Sequence, residues 1–284
     1  MTLKKAIAAG VMLVASQMAG AAEYSKVVSY DFGSLDTLHA LGLSDVVAGV
    51  PKQGLPEYLS EFSGDQFADV GGLKTPDIEK LKTLSPDLVL VTGRQGEKKA
   101  EMEAVFNVKD VGTTGETYWG GFTNKVNDLA KLFDKQSEAE AALSALQKEI
   151  ESVKGSTAQV VVLTHNGGNM SLRQDGVIND LLGLKAPAVP EGVETITRGT
   201  RSFTPLTADN LVSMNPSVVF IVDRSAAIGN AEEALDASAL KADLAAKGGE
   251  NIKVAYLNPG LWYLSGGGLE SLKLQVEEVA KAIQ

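Results

Sequence analysis

The strongest constraint on the fold of this chain is an internal repeat. A shift of 130 positions superimposes residues 75–94 on residues 205–224, with Pro86 on Pro216. In each copy a short segment with helical spacing of apolar residues ends before the proline, and a continuously apolar run follows it. Such a run is typical of a strand that is buried on both faces of a parallel sheet. Each copy therefore predicts the helix and the strand of a βαβ unit.

A weaker likeness precedes each copy. The tripeptide Leu-Gly-Leu occurs at 41–43 and at 182–184, each time downstream of an apolar segment with the character of a strand. The order strand, helix, turn, helix, buried strand thus occurs twice. We therefore predict an α/β protein with two Rossmann-like lobes, each built on a parallel sheet.

The segment between the two lobes differs from both. Residues 136–154 contain neither Gly nor Pro, and Ala139, Leu143, Leu146 and Ile150 recur at helical spacing. A helix of about 19 residues is about 28 Å long and makes a stiff connection. The predicted organisation is an N-terminal lobe at 23–135, a bridging helix at 136–154 and a C-terminal lobe at 155–284.

The first 22 residues have the pattern of an export signal. Lys4 and Lys5 precede an apolar run, and small residues follow up to Ala22. The alternatives are a membrane anchor or a buried helix, but the apolar part is too short to span a bilayer. The chain contains no Cys, so it has neither disulfides nor the Cys of a lipid anchor. We expect cleavage near Ala22 and a periplasmic protein without a lipid anchor.

Composition excludes several classes of function. The 284 residues carry a formal net charge of −10, whereas a nucleic-acid groove needs a surplus of Lys and Arg. With no Cys and two His, a structural zinc site is improbable, and a Cys nucleophile is impossible. An enzyme could use 166–169, Asn-Gly-Gly-Asn, as a phosphate loop, but the Gly-rich fingerprint and a Gly-x-Ser-x-Gly elbow are missing.

Two motifs complete a family resemblance. Residues 78–91 end in Ser-Pro-Asp-Leu-Val-Leu-Val, and residues 257–268 read Leu-Asn-Pro-Gly-Leu-Trp-Tyr-Leu-Ser-Gly-Gly-Gly. With the export signal, the duplicated lobes and the bridging helix, they resemble the substrate-binding proteins of ABC importers for iron–siderophore complexes, above all the catecholate branch. The resemblance implies a monomer without catalytic activity or intrinsic cofactor, which passes a ferric siderophore to an inner-membrane permease dimer. Cobalamin or haem on the same scaffold is the alternative.

Three arginines match the cationic pocket of that family. Arg94 and Arg224 follow the two repeated strands, and Arg173 lies in a loop of the second lobe. Ligands of open α/β sheets collect beyond the carboxyl ends of the strands. A ferric catecholate is an aromatic anion, and the guanidinium group both donates several hydrogen bonds and stacks on rings. The alternative is that these arginines are solvated or paired with surface acids.

The resemblance also suggests iron ligands. In the catecholate branch a Tyr near the C-terminus and a loop His can complete the iron shell when the siderophore supplies fewer than six donors, and Tyr263 matches that Tyr. Arg198 occupies the place of the His, unless the loop is aligned one or two residues off, and Arg201 could serve the same purpose. A guanidinium has no lone pair for iron. We therefore expect a siderophore that fills the iron shell itself, with Arg198 as an added charge. Tyr263 either ligates iron or packs under the following glycines.

Further candidates for ligand contact follow from position. His165 comes directly after a buried strand, and Trp119 and Trp262 lie beside glycines or in the closing motif. The alternatives are a structural role for His165 and core packing for both Trp. The resemblance also implies one acid on each lobe for docking to the permease. The matching residues are Glu79 and Asp209, which coincide under the repeat shift.

Overall fold

The computed structural model describes residues 23–284, and the predicted signal peptide at 1–22 lies outside the described residues. The strands are β1 (Val27–Ser29), β2 (Val47–Val50), β3 (Ala68–Asp69), β4 (Leu88–Val91), β5 (Val108–Asp110), β6 (Val160–Asn166), β7 (Asn169–Leu172), β8 (Ile196–Arg198), β9 (Arg201–Pro205), β10 (Val218–Asp223) and β11 (Lys253–Tyr256). The helices are α1 (Phe32–Ala40), α2 (Ile78–Leu84), α3 (Glu97–Glu103), α4 (Tyr118–Leu132), α5 (Gln136–Val153), α6 (Ala208–Met214), α7 (Arg224–Ala227), α8 (Ala237–Ala246) and α9 (Leu269–Ile283). None of these helices is long and apolar enough to cross a membrane.

Each lobe is built on one sheet. The first has the strand order β3-β2-β1-β4-β5, and all of its pairings are parallel. The second has the order β11-β10-β6-β7-β9-β8 and is parallel only from β11 to β6. From β6 onward the pairings are antiparallel. The second sheet is therefore mixed, whereas a parallel sheet was predicted for this lobe, and the prediction is corrected here.

A glycine pair causes the change of direction in the second sheet. Gly167 and Gly168, between β6 and β7, have φ angles of 55° and 76°. Two successive residues with positive φ make the tight turn that joins antiparallel strands, and glycine adopts this conformation at least cost. The sequence Asn-Gly-Gly-Asn at 166–169 is thus the turn of a hairpin.

The sequence repeat corresponds to a repeated local structure. Helix α2 begins after Asp77 and α6 after Thr207, and in both the side chain of the capping residue accepts a backbone N–H bond. Each helix ends on a left-handed residue, Ser85 with φ 48° and Asn215 with φ 49°, directly before the repeated proline. The two lobes therefore share this helix and the buried strand that follows it.

The central strands β1, β4, β6 and β10 are buried, and one core joins the lobes. In β10, Val218, Phe220 and Val222 face a core that also includes buried residues of α1, α4, α5 and α9. The alternate residues Val219 and Ile221 face the outer helices α6 and α8. In β4 the same alternation separates the shared core from a smaller cluster that includes residues of α2 and α3.

Helix α5 spans Gln136–Val153, where the sequence predicted a bridging helix over 136–154. Its buried residues are the four apolar residues that define its predicted face, Ala139, Leu143, Leu146 and Ile150. The helix packs against α4 and α9, and α9 also packs against α1. The C-terminal helix thus returns to the first lobe, which restrains the two lobes relative to each other.

Candidate functional site

A cleft of about 770 Å³ lies between the lobes. The first lobe contributes loop residues and Arg94, and the second contributes Arg173, Arg224, residues 226–229 and residues 262–265. Arg94 lies just beyond the carboxyl end of β4, and Arg224 directly follows β10. The repeated strands therefore direct both residues to the same opening, as the parallel arrangement predicts.

Arg94 reaches across the cleft to the other lobe. It lies in a short helical turn, where the Thr92 side chain accepts a bond from its backbone N–H. Its Nη1 donates to the carbonyl of Leu264 at 2.9 Å, and Nη2 donates to that of Tyr263 at 3.2 Å. This side chain therefore connects the two walls of the cleft.

Arg224 contacts the Tyr263 side chain. Its Nε donates to the Tyr263 hydroxyl at 2.8 Å, and its guanidinium carbon lies 5.8 Å from the centre of the ring. Its Nη1 donates to Oδ1 of Asn166 at 2.5 Å. Arg224 is thus oriented by neutral partners and keeps its positive charge uncompensated.

Arg173 differs because a carboxylate neutralises it. Its Nε donates to Asp175 at 2.8 Å, and the other Asp175 oxygen accepts the backbone N–H bonds of Val177 and Ile178. Among residues 23–284, no Asp or Glu lines the cleft, while Lys74 lines it together with the arginines. An acidic protein thus presents an electropositive cleft, which attracts anions.

The wall that carries Tyr263 is held by a glycine loop, residues 266–268. A Cβ atom on Gly268 would overlap the Gly33 carbonyl oxygen and the Asp36 carboxylate, so only glycine permits this close approach. Asp36 is buried and accepts the backbone N–H bonds of Glu270 and Ser271 at 2.8 and 2.7 Å. These bonds cap the N-terminus of α9. Burial raises the pKa of Asp36 to about 6.

Trp262 also lines the cleft. Its side chain is buried, and its indole Nε1 donates to Glu278 on α9. Burial raises the pKa of Glu278 above its usual value. Trp262 therefore combines core packing with a place at the cleft, and the two interpretations of this residue are compatible.

His165 does not line the cleft. It is buried, and its Nδ1 lies 3.1 Å from Oδ1 of Asp223, whose other oxygen accepts a bond from the Tyr256 hydroxyl at 2.8 Å. Burial acts to raise the pKa of Asp223, but the bonds from Leu235, His165, Tyr256 and Ala226 outweigh it and lower the pKa. Asp223 caps the helix that begins with Arg224, so His165 contributes to the support of that arginine.

Arg198 and Trp119 also lie outside the cleft lining. Arg198 is exposed on the β8–β9 hairpin, with its guanidinium 5.5 Å from the centre of the Phe203 ring. Trp119 lies on α4, where its ring centre is 5.6 Å from that of Phe122 in the shared core. The ligand contacts predicted for Arg198, Trp119 and His165 stay predictions.

The two acids predicted for docking occupy equivalent places. Glu79 lies in the first turn of α2 and Asp209 in the first turn of α6, and their side chains are 82% and 71% exposed. Glu79 pairs with Lys82 at 2.8 Å, and Asp209 pairs with Lys247 at 2.9 Å. The structure thus places one exposed acid on the equivalent helix of each lobe.

The cleft also contains residues that sequence reasoning missed. Lys74 and Gln53 line it, but neither belongs to a motif. Their loops meet the cleft because β2 and β3 lie at one end of the first sheet, which the sequence does not specify. Within residues 23–284, no cluster of three or more His, Asp or Glu side chains could hold a metal ion.

These features agree with a comparison against known families. A family model described as periplasmic binding protein matches residues 27–259. The chain belongs to the periplasmic binding protein family. This result confirms the family resemblance predicted from the repeat, the bridging helix and the closing motif.

Individual relatives cover most of the chain. The petrobactin-binding protein YclQ of Bacillus subtilis is 36% identical over 91% of this chain and 82% of its own length. Its crystal structure matches with a TM-score of 0.79 at 34% identity, covering 92% of each chain. The ferric-anguibactin-binding protein FatB of Vibrio anguillarum is 26% identical, with the same coverage as YclQ in the sequence comparison.

A second solved structure is that of the iron uptake ABC transporter substrate-binding protein PiuA of Streptococcus pneumoniae. It matches with a TM-score of 0.79 at 27% identity, covering 91% of this chain and 93% of its own. This chain therefore has the two-lobed fold of proteins that bind substrates for import.

Proposed function

We propose that this protein captures a ferric siderophore of the catecholate type and delivers it to an ABC importer. The observation that carries the proposal is the convergence of Arg94, Arg224 and Tyr263 on a cleft without acidic lining residues. Two relatives are named for binding petrobactin and ferric anguibactin, which supports a siderophore as the cargo.

The cleft residues act by binding, without chemical change of the cargo. Arg94 and Arg224 donate hydrogen bonds to catecholate oxygens and offset the negative charge of the complex. The Tyr263 ring offers a surface for catechol rings, and its phenol is a hard oxygen donor of the kind that Fe(III) prefers. Trp262 provides apolar contact beside it. Arg173, whose charge Asp175 offsets, contributes hydrogen bonds more than net charge.

The rest of the chain serves export and delivery. We propose that residues 1–22 are removed on export and that residues 23–135 and 155–284 form lobes joined by the helix at 136–154. The mature protein acts as a periplasmic monomer. Glu79 and Asp209 present one carboxylate from each lobe to basic pockets of a permease dimer, as the equivalence of α2 and α6 supports.

A titration of the purified protein tests this function. The probes are a ferric tris-catecholate, a neutral ferric tris-hydroxamate, cobalamin and haem, and the readout is tryptophan fluorescence. Trp119→Phe leaves Trp262, which lines the cleft, as the reporter. We expect tight binding and quenching by the catecholate complex alone. If cobalamin or haem binds instead, or if no iron complex binds, the siderophore function is refuted.

A further inference from the structure

A second chamber of about 280 Å³ adjoins the cleft. Arg173, Trp262 and Ser265 line both cavities, so they form the border between them. Behind this border the chamber is lined by residues of α4, of α9 and of the glycine loop. A group attached to a ligand in the cleft can therefore extend into the chamber.

The glycine loop keeps this chamber open. A Cβ atom on Gly266 would lie 3.3 Å from the Gln275 amide nitrogen, closer than side chains usually pack. A Cβ atom on Gly267 would lie 3.6 Å from Nζ of Lys125. Because neither residue has a side chain, the buried polar groups of Lys125 on α4 and Gln275 on α9 border the chamber.

The charges of the chamber are internally paired. Nζ of Lys125, whose side chain is 4% exposed, lies 2.6 Å from the Asp31 carboxylate. Arg173 is paired with Asp175. Two cations and two carboxylates leave no net charge, in contrast to the cleft, where Arg94 and Arg224 are uncompensated. A charged group gains no net attraction in the chamber and loses hydration on entering it.

Two side chains that line the chamber nevertheless have unused hydrogen-bonding groups. Gln275 is 4% exposed, and its Oε1 has no hydrogen-bond partner among the described residues. Its Nε2 donates to the Leu261 carbonyl at 3.5 Å, which orients the amide with Oε1 as the open acceptor. Within residues 23–284, Asp31 is the one hydrogen-bond partner of the Lys125 ammonium group, which has three N–H donors.

We propose that the chamber is a subsite for an uncharged arm of the cargo that carries a donor and an acceptor close together, such as a carboxamide. The arm donates an N–H bond to Oε1 of Gln275 and accepts a bond from Lys125 or Arg173. The inference rests on the proposed function, because the arm belongs to a ferric catecholate whose anionic centre lies in the cleft. The cleft then selects for charge, and the chamber selects for a neutral polar substituent.

Three ferric tris complexes test this subsite in binding titrations. They contain catechol, 3,4-dihydroxybenzamide or N,N-dimethyl-3,4-dihydroxybenzamide, prepared with excess ligand in mildly alkaline buffer. The amide group of 3,4-dihydroxybenzamide points away from the iron and has two N–H donors. The amide of the N,N-dimethyl compound has none. We expect the primary amide complex to bind about fivefold more tightly than the other two, which corresponds to about 1 kcal/mol.

Two variants locate the effect. Gln275→Met keeps a similar volume but removes the acceptor, so it should abolish the preference for the primary amide. Gln147→Met is the matched control, since Gln147 is exposed on α5 and lines neither the cleft nor the chamber, and it should leave the preference intact. Thermal unfolding of both variants checks that they are folded.

The outcomes separate this inference from the proposed function. If the three complexes bind the unaltered protein equally, or if Gln275→Met retains the preference, the chamber holds water only and the inference is refuted. If no ferric catecholate binds at all, the proposed function fails and the subsite fails with it. The series on the unaltered protein decides the question even if Gln275→Met does not fold.

Discussion

Arg224 offers the most direct test of the electropositive cleft. It lines the cleft beside Tyr263, and neutral groups are its hydrogen-bond partners there. Replacing it by Met removes the charge and the hydrogen-bond donors but keeps a long apolar side chain. We expect Arg224→Met to weaken binding of a ferric tris-catecholate while the protein stays folded.

The size of the effect follows from two contributions. At about 6 Å in a water-like dielectric, a triply negative complex and one guanidinium attract each other by about 2 kcal/mol. A hydrogen bond to a charged group adds about 1.5–3 kcal/mol, partly offset because Arg224 must exchange its bonds to Tyr263 and Asn166. The net loss is about 2–3 kcal/mol, or about 30- to 150-fold in Kd.

Fluorescence titration at two salt concentrations measures this loss. The electrostatic part should shrink at high salt, because counterions screen an open cleft. Lys241→Met is the control, since Lys241 is exposed on α8 and its loss changes the net charge equally. A loss below about threefold for Arg224→Met, or an equal loss for Lys241→Met, would refute the charge-pocket reasoning.

Two further predictions concern stability. Because burial raises the pKa of Asp36 to about 6 from 3.8, the folded protein holds a proton that the unfolded chain releases in this window. The contribution of Asp36 to the free energy of unfolding should therefore fall by about 3 kcal/mol as the pH rises from about 3 to 7. Asp36→Asn should remove this contribution in chemical denaturation, and the same pH dependence in the variant and the unaltered protein would contradict the assignment. Gly268→Ala should lower the free energy of unfolding by more than about 2 kcal/mol, because its Cβ would overlap the Gly33 carbonyl oxygen. Gly93→Ala, where a Cβ meets open space, should change it by less than about 0.5 kcal/mol, and equal losses would exclude the close-approach argument.

Much of the fold was predictable because its signals are local. The helix ends before Pro86 and Pro216 follow from the restricted backbone of a residue before proline, and both occur as predicted. The apolar runs that follow are long enough to indicate strands buried on both faces. Two adjacent glycines also mark the hairpin at 166–169 locally.

The candidate site was predictable only where topology determines position. Arg94 and Arg224 could be placed together because the carboxyl ends of parallel strands meet at one edge. The contact of Arg94 with Leu264 joins residues 170 positions apart, and no local pattern encodes it. His165 also lies at the end of a buried strand, but it is buried and contacts Asp223, 58 positions away in the sequence, and it does not line the cleft.

Local sequence patterns are enough to predict the helices and buried strands of the repeat, the helix at Gln136–Val153 and the arginines at the strand ends. These features depend on backbone preferences and apolar spacing among near neighbours. Which cations have their charge offset depends on the fold: Asp175 pairs with Arg173 and Asp31 with Lys125, while Arg94 and Arg224 have neutral partners. Compensation between charges depends on their distance in space, which the fold sets and sequence separation does not.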